Sequence, residues 1–116
     1  MGALATSVLE NGGHITGIMP YFMREVEWQH PGVEDIQLVD DMRERKRRFL
    51  INVDALIALP GGTGTFEELF EAITLKKLGK FTKPIIIYNQ DGFYDPLLQM
   101  LEKCIEEQFM LSLIHI

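Results

Sequence analysis

Apolar and polar positions follow two alternating rhythms along the chain, helical spacing and short continuous apolar runs of strand length. Residues 3–11 read as a helix that Asn11-Gly12-Gly13 stops, and His14-Ile15-Thr16-Gly17-Ile18-Met19 reads as a strand closed by Pro20. The polar, aromatic stretch from Tyr21 to Gly32 is connection. Ile36-Gln37-Leu38-Val39 predicts a second strand, after which Asp41 can cap a helix over 42–53. Ala55-Leu56-Ile57-Ala58-Leu59 is a third strand, followed by Pro60-Gly61-Gly62-Thr63-Gly64-Thr65. A helix with Phe66, Leu69, Phe70 and Ile73 on its inner stripe then runs to Gly79, Pro84-Ile85-Ile86-Ile87-Tyr88 is a fourth strand, and residues 94–107 form a last amphipathic helix. Apolar strands separated by helices predict an α/β protein whose doubly wound parallel sheet is covered on both faces.

A doubly wound domain normally starts with the strand and Gly-rich turn that build the centre of its sheet. This sequence opens inside a helix, so the expected organisation is an N-terminally truncated nucleotide-binding domain over residues 1–108. The apolar stretch Phe109-Met110-Leu111-Ser112-Leu113-Ile114-His115-Ile116 lacks a polar finish and reads as a candidate non-native tail over 109–116.

Composition narrows the function classes. With 47% apolar and 24% charged residues in 116, a disordered tail, a collagen-like repeat and a multidomain enzyme are excluded. Eleven basic against seventeen acidic residues give a net charge of −6, too acidic for a protein that coats nucleic acid or a membrane surface. The pattern carries neither a signal peptide nor a membrane-spanning run, and the expected compartment is the cytoplasm. A lone Cys104, expected as a buried inert thiol on a stripe with Leu97, Leu101, Ile105 and Gln108, fits a reducing compartment, and three scattered His residues offer no metal spacing.

Charge is nevertheless concentrated. Arg43, Arg45, Lys46, Arg47 and Arg48 fall within six positions. Wound into a helix, Met42, Phe49 and Val53 define the inner stripe; Arg45 and Lys46 border it, whereas Arg43, Arg47 and Arg48 point to solvent. Cations beside an apolar stripe call for a carboxylate or phosphate partner.

The glycine segment lies between the carboxyl end of a strand and the start of a helix, where open α/β sheets bind ligands and backbone N–H groups attract phosphate. It is neither a dinucleotide fingerprint, which would need glycine at Glu67, nor a Walker loop, which would need Gly-Lys-Ser/Thr. A tight turn without a ligand is the plain alternative. Thr65-Phe66-Glu67-Glu68 fits a capping box, which would give Glu68 a purely structural role. Alternatively, Glu68 is a carboxylate beside an anion site, able to activate water or stabilise a developing cation.

Met42-Arg43-Glu44-Arg45-Lys46 and Pro60-Gly61-Gly62-Thr63-Gly64-Thr65-Phe66-Glu67-Glu68 resemble the M-x-x-R-K and P-G-G-x-G-T-x-x-E motifs of the Lonely Guy family, cytokinin riboside 5′-monophosphate phosphoribohydrolases once labelled lysine decarboxylases. The resemblance covers residues 1–108. It implies a Rossmann-like homodimer that cleaves the N-glycosidic bond of a nucleoside 5′-monophosphate, a cytokinin riboside 5′-monophosphate or AMP, without a metal or redox cofactor. It assigns catalysis to Arg45 and Glu68, and substrate binding to Met42, Lys46, Gly61, Gly62, Thr63, Gly64, Thr65, Phe66, Glu67 and Thr74. Arg24-Glu25-Val26 resembles the family's Arg-Glu-Leu stretch and adds Glu25 to the binding set. Met1-Gly2 resembles the end of an upstream glycine turn whose preceding residues are missing. The alternative function on the same fold is a non-catalytic carrier of a nucleotide or of molybdenum cofactor. A decarboxylase would need a Schiff-base lysine, and nothing marks Lys76, Lys77, Lys80 or Lys83 for that role.

Overall fold

A computed structural model describes residues 2–23 and 31–112. Helices and parallel strands alternate along the chain in a Rossmann-like α/β fold. The elements are α1 (Gly2–Glu10), β1 (Thr16–Pro20), β2 (Asp35–Val39), α2 (Met42–Leu50), β3 (Leu56–Ala58), α3 (Thr63–Lys77), β4 (Ile85–Ile87) and α4 (Asp95–Glu106), with short 3-10 turns at Tyr21–Met23 and Gln90–Gly92. The chain divides into two compact units, Met1–Ile51 and Asn52–Ile116. Among the described residues no helix is long and apolar enough to cross a membrane.

In the first unit, β1 and β2 pair in parallel from Thr16 opposite Asp35 to Pro20 opposite Val39. Met19, Pro20, Val33 and Val39 are its buried positions. At the start of the pair the Thr16 hydroxyl donates to Asp35 Oδ2 at 2.6 Å, and His14 Nε2 lies 3.1 Å from the same oxygen. These hydrogen bonds, that of Thr16 first, hold the Asp35 carboxyl below its ordinary range. Asp41 caps α2 as expected, its Oδ1 accepting the Glu44 N–H at 2.8 Å. The helix ends at Leu50, short of the expected residue 53. Ile51 is extended and Asn52 takes the left-handed conformation (φ 58°) that Asn tolerates well, so Val53 lies outside the helical stripe.

In the second unit, β3, α3 and β4 form a parallel β-α-β segment, with Leu56, Ile57 and Ala58 opposite Ile85, Ile86 and Ile87. Leu69, Ala72 and Ile73 are the buried positions of α3. Phe70 was expected on that stripe but is 43% exposed, since the i, i+3, i+4 set formed by Leu69, Ala72 and Ile73 leaves it about 100° to one side. Along β3 and β4 Ala58 and Ile85 are buried, whereas Ile57, Ile86 and Tyr88 on the opposite face are exposed. Among the described residues of this unit, none buries that second face of the pair.

Three helices end on the same device. Gly12 (φ 76°) ends α1, with Gly13 N–H reaching back to Val8 O and Gly12 N–H to Leu9 O. Gly79 (φ 71°) ends α3 through Lys80 N–H to Leu75 O and Gly79 N–H to Lys76 O. Gln108 (φ 66°) does the same after α4 without being glycine, and so lies outside the helical stripe expected to include it. Cys104 is half-buried rather than buried.

Candidate functional site

Met42, Arg45 and Lys46 lie on α2 in the first unit, whereas the glycine segment, Glu68 and Thr74 lie in the second. Arg24 to His30, and with them Glu25 and Trp28, fall outside the described residues.

On α2 the basic run separates as its periodicity predicts. Arg45 and Lys46 are half-buried, and Arg43, Arg47 and Arg48 are exposed. The Arg45 guanidinium lies 5.3 Å from the Phe49 ring centroid, and its Nε donates to the Ile18 carbonyl oxygen at 3.1 Å. Glu44 takes the exposed cations: Arg47 donates through Nε and Nη2 at 3.0 and 3.2 Å, and Arg48 through Nε at 3.0 Å. Arg47 first and Arg48 second lower the Glu44 pKa from its ordinary 4.5 to about 2. Arg48 also donates to Gln37 Oε1 at 3.0 Å. Two of the five clustered cations are thus occupied by a local surface network.

The glycine segment follows the carboxyl end of β3 and becomes the first turn of α3. That helix starts at Thr63 with Gly62 as its N-cap, no side chain caps it, and its first intrahelical bond runs from Phe66 N–H to Gly62 O at 3.1 Å. A Thr65-to-Glu68 capping box is therefore ruled out as the start of this helix: Thr65 lies within the first turn, two residues past the first helical position. Helix geometry leaves the N–H groups of Thr63, Gly64 and Thr65 without intrahelical acceptors. Glu68 is half-buried further along the same helix, and Glu67 is exposed.

The glycines divide into two kinds. A Cβ on Gly61 would sit 2.3 Å from Thr65 Oγ1 and 3.0 Å from Thr65 Cβ, so Gly61 is required by the turn itself. At Gly62 and Gly64 a Cβ would meet nothing within 4 Å among the described residues, and neither has a positive φ. Packing among the described residues does not account for glycine there. Open backbone above an uncapped helix N-terminus suits the close approach of an anion.

Thr74 lies about 16 Å further along α3 from Thr63 at the usual helical rise. Its hydroxyl donates to Phe70 O at 2.8 Å. Within the second unit the first turn of α3 thus gathers Gly61 to Phe66, and Thr74 is remote from it.

The family model described as "Possible lysine decarboxylase" matches residues 1–113. The chain belongs to this family, the Lonely Guy proteins. It is 43% identical over 110 residues to a "Probable cytokinin riboside 5'-monophosphate phosphoribohydrolase" of Oryza sativa subsp. japonica, covering 95% of this chain and 49% of the relative. It is 42% identical over 112 residues to a cytokinin riboside 5'-monophosphate phosphoribohydrolase of Arabidopsis thaliana, covering 97% of this chain and 53% of the relative. The chain thus spans about half the length of these curated relatives.

One buried feature beside the Lonely Guy glycine motif was not anticipated. Tyr94 is 1% exposed and its hydroxyl donates to Leu59 O, just before Pro60, at 2.6 Å. The available signal was an aromatic pair, Phe93-Tyr94, directly after the Asp91-Gly92 turn, since a buried Tyr hydroxyl needs a partner.

Proposed function

We propose that this protein hydrolyses the N-glycosidic bond of a nucleoside 5′-monophosphate, a cytokinin riboside 5′-monophosphate or AMP, to free base and ribose 5-phosphate. The observation that carries this reading is the uncapped N-terminus of α3, opened by Gly62 and Gly64 at the carboxyl end of β3. The activity named for the relatives supplies the reaction class.

In this reading the 5′-phosphate docks on the N–H groups of the Gly61–Thr65 segment, where helix-terminal donors favour an anion. By the family resemblance Arg45 is catalytic and Lys46 binds substrate, and within its own unit Arg45 is oriented by its bond to Ile18 O. By the same resemblance Met42, Phe66, Glu67 and Glu25 join the binding set, with Thr74 a separate contact further along α3, away from the phosphate turn. The bond between ribose C1′ and the base nitrogen breaks with its electron pair leaving on the base, which takes up a proton from solvent water. Glu68 stabilises the oxocarbenium-like centre and takes a proton from the water that adds to C1′, or first adds to C1′ itself and is displaced by water. The protein acts as a cytoplasmic homodimer.

A lysine decarboxylase is the weaker reading of the family description. Lys76, the half-buried lysine of α3, donates to the Lys83 carbonyl and lies 5.8 Å from the Phe81 ring centroid, while Lys77, Lys80 and Lys83 are exposed. Packing already accounts for the Lys76 ammonium.

The test is release of ribose 5-phosphate from AMP and from isopentenyladenosine monophosphate by wild type and by Glu68→Gln. The reading expects turnover by wild type and a loss on the order of a thousand-fold in the folded variant. Binding without release by wild type would instead support a carrier, and turnover that survives Glu68→Gln would remove Glu68 from the mechanism.

A further inference from the structure

The glycine segment has few side chains with which to hold itself in place, so its position must be set from its flanks. One side chain reaches both of them. The Tyr94 hydroxyl donates to the Leu59 carbonyl at 2.6 Å, on the strand side of Pro60. The Tyr94 ring meets Phe66 edge-on, with centroids 6.3 Å apart and planes at 71°, on the helix side of Thr65. Phe66 also provides the N–H that closes the first bond of α3 onto Gly62 O.

Tyr94 is itself fixed. Asn89 Oδ1 accepts its backbone N–H at 2.7 Å, and Asn89 Nδ2 donates to Asp95 Oδ1 at 2.7 Å. The intervening turn uses left-handed Asp91 (φ 52°) and Gly92 (φ 73°), and a Cβ on Gly92 would strike Asp95 Oδ2 at 2.6 Å. Phe93 stands perpendicular to the Tyr94 ring at 4.9 Å. Just before Asn89, Tyr88 N–H bonds to Ala58 O at 2.9 Å, tying the same loop to β3.

We infer that Tyr94 is a positioning residue for the nucleotide 5′-phosphate: it clamps the two ends of the Pro60–Thr65 segment and so sets where the N–H groups of that segment stand. The inference rests on the proposed phosphate role of the segment. Tyr94 touches no reacting atom. Burial raises its hydroxyl pKa above the ordinary value, so it stays a proton donor to Leu59 O at neutral pH. Displacing aligned donors by a fraction of an ångström weakens the hold on an anion without unfolding the loop.

The variant is Tyr94→Phe, which keeps both ring contacts and removes only the hydroxyl. Because the phosphate is held alike in ground and transition states, the expected effect is a rise of roughly ten-fold in both the AMP dissociation constant and KM, with kcat changed by less than about three-fold. Leu101→Ala, at a buried position of α4, is the control, expected to lower the melting temperature with KM unchanged. Asn89→Ala releases the Tyr94 backbone and should raise KM in the same direction, which keeps the test open should Tyr94→Phe fold poorly. Unchanged AMP affinity in folded Tyr94→Phe, with wild type active, overturns the inference alone. Binding of AMP by wild type without release of ribose 5-phosphate overturns the hydrolase reading, and the affinity ratio of wild type to variant then decides the inference. Failure of wild type to bind AMP overturns both.

Discussion

The Nε of Arg45 donates to the main-chain oxygen of Ile18, joining α2 to the middle of β1. A lysine at position 45 would keep the charge but lose the planar fork and the Nε donor. Arg45→Lys should therefore remain folded while kcat/KM for AMP falls on the order of a hundred-fold, as for loss of one preorganised donor. Steady-state kinetics beside a thermal melt checks this; near-normal turnover would show that charge alone suffices at this position.

The two kinds of glycine give opposite expectations. Gly61→Ala meets Thr65 at 2.3 Å and should lower the melting temperature. Gly64→Ala, in open space in the first turn of α3, should leave stability equal or raise it by about 0.5 kcal/mol through loss of unfolded-chain freedom. It should nonetheless weaken AMP binding, because under the proposed function the new methyl would stand where the phosphate docks. Denaturant unfolding paired with calorimetry separates the two effects, and full AMP affinity in Gly64→Ala would argue against phosphate at this turn.

Acid should loosen the surface network of α2. Glu44 titrates at about 2 in the folded protein against an ordinary 4.5, so its pairing with Arg47 and Arg48 stabilises the fold fully above about pH 4.5 and is lost as pH falls through about 2. Asp35, also lowered, loses its contribution below its ordinary 3.8. Melting temperatures of wild type should decline across this window, and Glu44→Gln should flatten part of the decline. Exposure keeps the effect small, and high salt should shrink it further. An identical decline in Glu44→Gln would assign the acid sensitivity elsewhere.

Gln108 carries a left-handed backbone at a position that glycine fills after α1 and α3. Gln108→Gly should stabilise the second unit by about 1 kcal/mol, the strain of an L-residue in that region less the added freedom of the unfolded chain. Urea unfolding reads the difference directly; a loss of stability would mean that the Gln108 side chain contributes more than its backbone costs.

Local signals were legible where they act within a few residues. Asp41 as a cap, glycine stops at Gly12 and Gly79, and the half-burial of Arg45 and Lys46 all follow from spacing and single-residue chemistry. The capping-box alternative arose because Thr65 and Glu68 have the right identities for it, and only the backbone of Gly62 and Thr63 shows that the helix has already begun. The exposure of Phe70 was hidden because the wheel lacked the small buried Ala72, whose burial turns the stripe. Tyr94 escaped notice because its partner Leu59 lies 35 residues earlier, just past the end of β3, and no periodicity reports a contact of that kind.

Ile57 and Ile86 stand side by side in register, with Tyr88 two residues beyond Ile86, and all three are exposed on one face of the β3 and β4 pair. Three large apolar side chains on one flat strip favour adhesion over dispersion in water. At the bench, light scattering should rise with protein concentration, and specific activity measured at high concentration should fall below that of a diluted sample. Ile57→Thr, which retains a β-branched side chain while lowering the strip's hydrophobicity, should reduce both effects without disturbing the strand pairing.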